Sequence, residues 1–171
     1  MKKTLLSILA LLTVAFFMAC GGAKETVKET PKEPSVSTGG VWVSQSNKQL
    51  EKIPVKGFGY KSSAVPAQSW DQWAKLSAPV VKKILNNMPD GYVLQVTGHA
   101  DARGPEYPEG AKPGNIRLSS DRAKAVHSAL RRQGISSPKM TYKGVGSSDP
   151  LDGVSPKSPQ QRRVTFKVIP Q

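Results

Sequence analysis

From Trp70 onward apolar positions recur with two different periods, and the switches between them mark the elements. Trp70, Trp73, Val80, Val81, Ile84, Leu85 and Met88 fall at helical spacing, a stripe one helix face wide. Ser69-Trp70-Asp71-Gln72 has the spacing of a capping box at its start, and Pro79 predicts a kink or restart. Asp90-Gly91 makes a turn before Tyr92 to Gly98, where Tyr92, Leu94 and Val96 share one face of a strand. A loop from His99 to Gly114 follows, rich in glycine and proline and holding Glu106 and Glu109. The stripe Leu118, Ala125, Val126, Ala129 and Leu130 predicts a second helix from Ser119 to Gln133, closed by Gly134, with Lys124, Arg131 and Arg132 turned to water. Met140 to Lys143 reads as a short strand, and Val164, Phe166 and Val168 alternate with Thr165 and Lys167 in a last one.

Upstream, Val41 to Tyr60 contains Val41-Trp42-Val43 and then Ile53 to Tyr60, which would supply one or two strands against the weakening effect of Pro54 and the glycines. Cleanly alternating strands need one covered face. The expected fold is therefore an α/β two-layer sandwich: a four-stranded mixed sheet, partly parallel because helices connect its strands, with helices on one face. The order would be strand, helix, strand, helix, strand, strand. The tryptophans of the first stripe are read as core rather than ligand platform.

The first forty residues follow neither period. Lys2 and Lys3 precede an apolar stretch from Leu5 to Ala19 broken only by Ser7 and Thr13. At about 15 residues it is shorter than the ~20 needed to span a bilayer, and it has the layout of a removable export signal over residues 1–19. Residues 20–40 repeat Lys-Glu-Thr and add prolines and glycines with no apolar face, as a solvated tether does. Its contour is at most ~65 Å at ~3.3 Å per residue. Residues 41–171 are left as the one folded domain.

Cys20 is the only cysteine, which excludes an intrachain disulfide and a thiolate metal site. Phe17-Met18-Ala19-Cys20 resembles the lipobox of bacterial lipoproteins. That resemblance implies that Cys20 is lipidated, with palmitate among its acyl chains, and becomes the N-terminus. Gly21 in place of Asp implies sorting to the outer membrane, and Phe17 in place of leucine is the looser pattern of spirochaetes. An ordinary secretory signal with an incidental cysteine is the alternative, although free thiols suit export poorly.

Lys and Arg total 25 against 12 Asp and Glu, a net charge of +13, which falls to +11 once Lys2 and Lys3 leave with the signal. Such a balance favours polyanions: nucleic acid, anionic lipid or carboxylate-bearing wall polymers. The basic residues are scattered and no aromatic-and-glycine RNA motif is present, which argues against nucleic acid. Ser119, His99 and Asp101 match no nucleophile elbow, and a serine at a helix start is usually a cap, so no enzymatic activity is expected. Neither a metal nor a cofactor is implied.

The most informative position is Arg122, four residues after Leu118 and four before Val126. It lies in line with the buried stripe, in the first turn of the predicted helix, where the helix dipole disfavours a cation. Some anion must compensate it, and Asp101, just past the strand ending at Gly98, is the nearest in topology. A structural ion pair and a shared ligand, whose ammonium meets Asp101 and whose carboxylate meets Arg122, both satisfy that demand. Charge alone favours the ion pair.

Gly98-His99-Ala100-Asp101-Ala102-Arg103-Gly104 and Asn115-Ile116-Arg117-Leu118-Ser119-Ser120-Asp121-Arg122-Ala123 resemble the OmpA-like C-terminal domain, with Gly-His-Thr-Asp and Asn-x-x-Leu-Ser-x-x-Arg-Ala as its typical blocks. Leu130, Gly134, Ile135, Gly144-Val145-Gly146, Pro150 and Gln161-Arg162-Arg163-Val164 continue the register, and the resemblance covers about residues 53–169. It implies non-covalent binding of peptidoglycan through the stem-peptide diamino acid, diaminopimelate or ornithine, by Asp101 and Arg122. Asn115, Arg103, Leu118 and Arg163 match positions lining the same pocket. Ala100 replaces a threonine, Gln161 an asparagine, and the loop from Gly104 to Asn115 is longer than the family's, room for a lid or second contact surface. The implied protein is an outer-membrane lipoprotein whose domain faces the periplasm. A surface-exposed adhesin using the same domain is the alternative.

Overall fold

The computed structural model describes residues 38–171, so the expected signal, Cys20 and most of the tether lie outside the described residues. Those described fall in one compact unit, Val36–Gln171. Three helices come first: α1 (Thr38–Leu50), α2 (Ala67–Leu76) and α3 (Ala78–Asn86). Then follow β1 (Tyr92–Gly98), α4 (Gly114–Arg132), β2 (Met140–Gly144) and β3 (Val164–Pro170). The sheet has the order β2-β1-β3, with β1 parallel to β2 and antiparallel to β3.

Four strands were expected and three form among the described residues. Val41-Trp42-Val43 belongs to α1, because Ser46 and Leu50 carry its buried positions onward at helical spacing. Val55 makes only an isolated antiparallel bridge to Val164, two backbone bonds of 2.9 and 2.8 Å. Pro54 has no N–H to give, and Gly57 turns the chain away at φ +90, so the ladder stops there. The open edge of β3 is completed instead by a side chain. Asn47 of α1 accepts from the Val168 amide at 2.7 Å and donates to its carbonyl at 3.1 Å, standing in for a fourth strand's peptide group.

The alternation expected in β1 and β3 holds. Leu94 and Val96 of β1 and Val164, Phe166 and Val168 of β3 are buried on one face, against Val126 and Leu130 of α4 and Val81, Ile84 and Leu85 of α3. Fully buried side chains of this size contribute about 1.5–3 kcal/mol each. The first stripe restarts at Pro79 as expected, α2 ending where Ser77 donates to the Trp73 carbonyl. Its capping box does not form: α2 begins at Ala67 behind Pro66, with no side-chain cap. Trp73 is core, stacked on Trp70 and Phe166 at ring separations of 5.1 and 5.3 Å, its indole N–H given to the Ile53 carbonyl.

Helix α4 starts five residues before the expected Ser119. Its first amides are capped from a distance, Asn115 donating to the Pro105 carbonyl and Ile116 to that of Glu106. It lies hard against the ends of β1 and β2. A Cβ at Gly98 would collide with the Ser119 carbonyl, and one at Gly144 with the Ser120 amide. That closeness brings the third turn of α4 over the loop that leaves β1.

Candidate functional site

Past Gly98 the chain remains tied to both neighbours. His99 donates its amide to the Arg163 carbonyl, Ala100 to that of Gly146, and Ala102 to that of Pro156. Asp101 is held between these anchors. Its buried carboxylate takes Arg162 Nη1 on Oδ2 at 2.8 Å, with Arg103 Nε 3.9 Å away. Oδ1 has no partner among the described residues.

Arg122 is buried, as its place in the stripe required, but its partners are not those expected. Nε donates to the Ser62 carbonyl at 2.8 Å, Nη1 to that of His99 at 3.0 Å and Nη2 to that of Gly59 at 3.0 Å. Asp101 acts on it only through space. Burial and the Arg162 charge push its pKa down, Asp101 pulls it back, and the result is about 10, so the group is charged at neutral pH. The first-turn dipole argument does not apply, since α4 begins at Gly114.

Asp101, Arg103, Asn115, Leu118 and Arg122 converge on one cavity of about 420 Å³. Tyr60, Lys61 and Lys112 also line it. The structure does not bring Arg163 there: it is buried with Gln161 (3.2 Å) and the Asp149 carbonyl (3.0 Å). Arg162 faces Asp101 in its stead. No periodic signal marked Arg162, which lies before β3 at the end of the short 3-10 turn Pro159–Gln161 and meets Asp101 only in the folded chain. Tyr60 and Lys61 had no local signal, because the turn Gly59–Ser62 is brought in by Arg122 from far along the chain.

The long loop forms one wall. Glu106 folds back to accept from the Ser147 amide and hydroxyl, at 3.1 and 2.8 Å, and Glu109 and Lys112 bridge across its tip. Asn115 Nδ2 ties the loop's root through the Gly104 carbonyl.

Ser119 and His99 are not set for nucleophilic chemistry. Ser119 Oγ donates to the Ile116 carbonyl and accepts the Gly146 amide, while His99 Nε2 lies 2.9 Å from Thr165 Oγ1. Burial and Arg163 push the His99 pKa down to about 4, leaving the ring neutral. Its Nδ1 is buried without a hydrogen-bond partner, 3.5 Å from Asp149. Among the described residues no group of His, Cys, Asp and Glu has the makings of a metal site.

This fold recurs among solved structures, two of which illustrate it. The peptidoglycan-associated lipoprotein from Burkholderia pseudomallei is similar at 24% identity and TM-score 0.53, over 75% of this chain and 99% of that one. The C-terminal domain of Helicobacter pylori MotB is similar at 18% identity and TM-score 0.51, over 69% of this chain and 84% of that one. The curated proteins contain no match. In sequence, residues 74–164 match the OmpA family, more than half of the chain, and they include β1, the long loop, α4 and both cavity-lining blocks. The chain belongs to the OmpA family, whose domains are structural and binding modules rather than catalysts.

Proposed function

We propose that the cavity binds peptidoglycan non-covalently through the diamino acid of its stem peptide, and that the protein links a membrane to the cell wall. The observation that carries this reading is the convergence of Asp101, Asn115, Leu118 and Arg122, from two separate sequence blocks, on one cavity. Asp101 Oδ1 is the ligand's ammonium acceptor, since Oδ2 already holds Arg162. Arg122 spends three of its five N–H groups on carbonyls and keeps two for a ligand carboxylate. Leu118 and Asn115 bound the aliphatic stem between those ends. Diaminopimelate satisfies both charges; ornithine keeps the amine and lacks the distal carboxylate.

Lipidation at Cys20 after removal of residues 1–19, a tether over 20–40, and a domain facing the periplasm from the outer membrane complete the reading, on the strength of the lipobox-like Phe17-Met18-Ala19-Cys20 and Gly21. The test is co-sedimentation with insoluble peptidoglycan. The wild type should pellet and Asp101→Asn, with Asp90→Asn as a surface control, should stay in the supernatant. Equal pelleting of a folded Asp101→Asn would overturn the site.

A further inference from the structure

The mouth of the cavity carries more positive charge than one zwitterion uses. Lys61, Arg103 and Lys112 line it beside Arg122, and Lys157 joins Tyr60 and Arg103 in a shallower hollow alongside. Asp101 is the one carboxylate among the residues lining either, and Arg162 already takes its Oδ2.

Two of these cations are held in place. Arg103 lies over the Tyr60 ring, 6.0 Å from its centre, and gives Nε to the Lys157 carbonyl at 2.8 Å. Its two terminal nitrogens have no partner among the described residues, and they are the pair that matches a carboxylate. Lys61 Nζ rests on the same ring at 5.4 Å. Lys61 is also the one non-glycine residue with positive φ, at 55°, among the described residues. A lysine resists that conformation, and Arg122 imposes it by gripping the carbonyls of Gly59 and Ser62 on either side. A strained cation at the lip of a cavity, beside an arginine fixed by its Nε, is a site built for an anion.

We propose that Lys61 and Arg103, both seated on Tyr60, form an anion subsite beside the Asp101 and Arg122 cavity that takes a second free carboxylate of the same acidic wall peptide. This rests on the peptidoglycan reading above. In a stem peptide the residue next to the diamino acid is a glutamate linked through its side chain, so its α-carboxylate is free unless amidated. The subsite therefore makes the protein selective for walls whose glutamyl carboxylate is not amidated.

The experiment titrates the full chain with synthetic L-alanyl-γ-D-glutamyl-meso-diaminopimelate and with the same tripeptide amidated at the glutamyl α-carboxylate. Loss of a charge-assisted contact should weaken wild-type binding of the amide by about 10-fold. The exposed double variant Lys61→Gln/Arg103→Gln should bind both forms alike. Equal wild-type affinity for acid and amide, or an undiminished preference in the double variant, would overturn the subsite. It falls alone if both tripeptides bind equally and Asp101→Asn abolishes both. It falls together with the peptidoglycan reading if neither tripeptide binds. Displacement of the tripeptide by an equal concentration of inorganic phosphate would mark a phosphate site and overturn it also.

Discussion

Arg122 donates its Nε to the carbonyl of Ser62 at 2.8 Å, clasping a turn that precedes it by 60 residues. With the bonds to Gly59 and His99, the guanidinium joins the turn, the end of β1 and the third turn of α4 around one point. Removing it strands three carbonyls and leaves a cavity in their midst. Arg122→Ala should lose about 3–5 kcal/mol of stability. Arg122→Lys keeps the charge but not the fork, and should lose about 1–3 kcal/mol. Urea unfolding measures both, and a neutral Arg122→Ala would contradict the clasp.

Asn47 pairs with β3 as a strand would, through both groups of its amide. Asn47→Ala exposes an amide and a carbonyl of Val168 at the sheet edge, and should cost about 1–3 kcal/mol for the two lost bonds. Hydrogen exchange at Val168 should accelerate in this variant, whereas that at Val126, deep in α4, follows only the global change.

His99 ties stability to pH. Its folded pKa, about 4, lies below the ordinary 6.5 because burial and Arg163 disfavour the charged ring. The unfolded chain therefore binds a proton that the folded one refuses as pH falls from about 6.5 towards 4. Stability is complete above that window and declines through it, by about 1–2 kcal/mol between pH 7 and pH 5. Asp149, the nearby carboxylate, opposes this fall and Arg163 reinforces it. His99→Gln should flatten the profile over the same interval, read as urea midpoints at the two pH values.

Glu106 fastens the long loop to the turn after β2 through Ser147. Glu106→Ala should leave the global stability within about 1 kcal/mol, since one partly buried anchor is lost. The tip around Tyr107 to Lys112 should become the first site of limited proteolysis. Cleavage of variant and wild type at the same rate would mean that the loop is held by other means.

What was legible in the sequence follows from how local its cause is. Strands β1 and β3 and both main stripes come from periodic burial, and Leu94, Val96, Val126 and Leu130 are buried where that period puts them. The missing fourth strand was half legible: Pro54 and Gly57, which stop the ladder, are local, whereas Asn47, which takes its place at the edge of β3, reaches there from a helix. The start of α4 escaped because its cause is not local: Pro105 and Glu106, across the loop, cap it. At the site, Asp101 and Arg122 line one cavity, but their partners in the fold were not legible. Arg162 and the turn at Gly59 and Ser62 are neighbours only once the chain has folded.

In the proposed complex, Asp101 Oδ1 receives the free ammonium of a wall diamino acid. Calorimetric titration of the full chain with L-alanyl-γ-D-glutamyl-meso-diaminopimelate, and with its counterpart acetylated on the diaminopimelate side-chain amine, tests it most directly. Acetylation removes the charge that Asp101 pairs and should weaken binding at least about 10-fold, the worth of one charge-assisted bond. Equal affinity for the two tripeptides would contradict it.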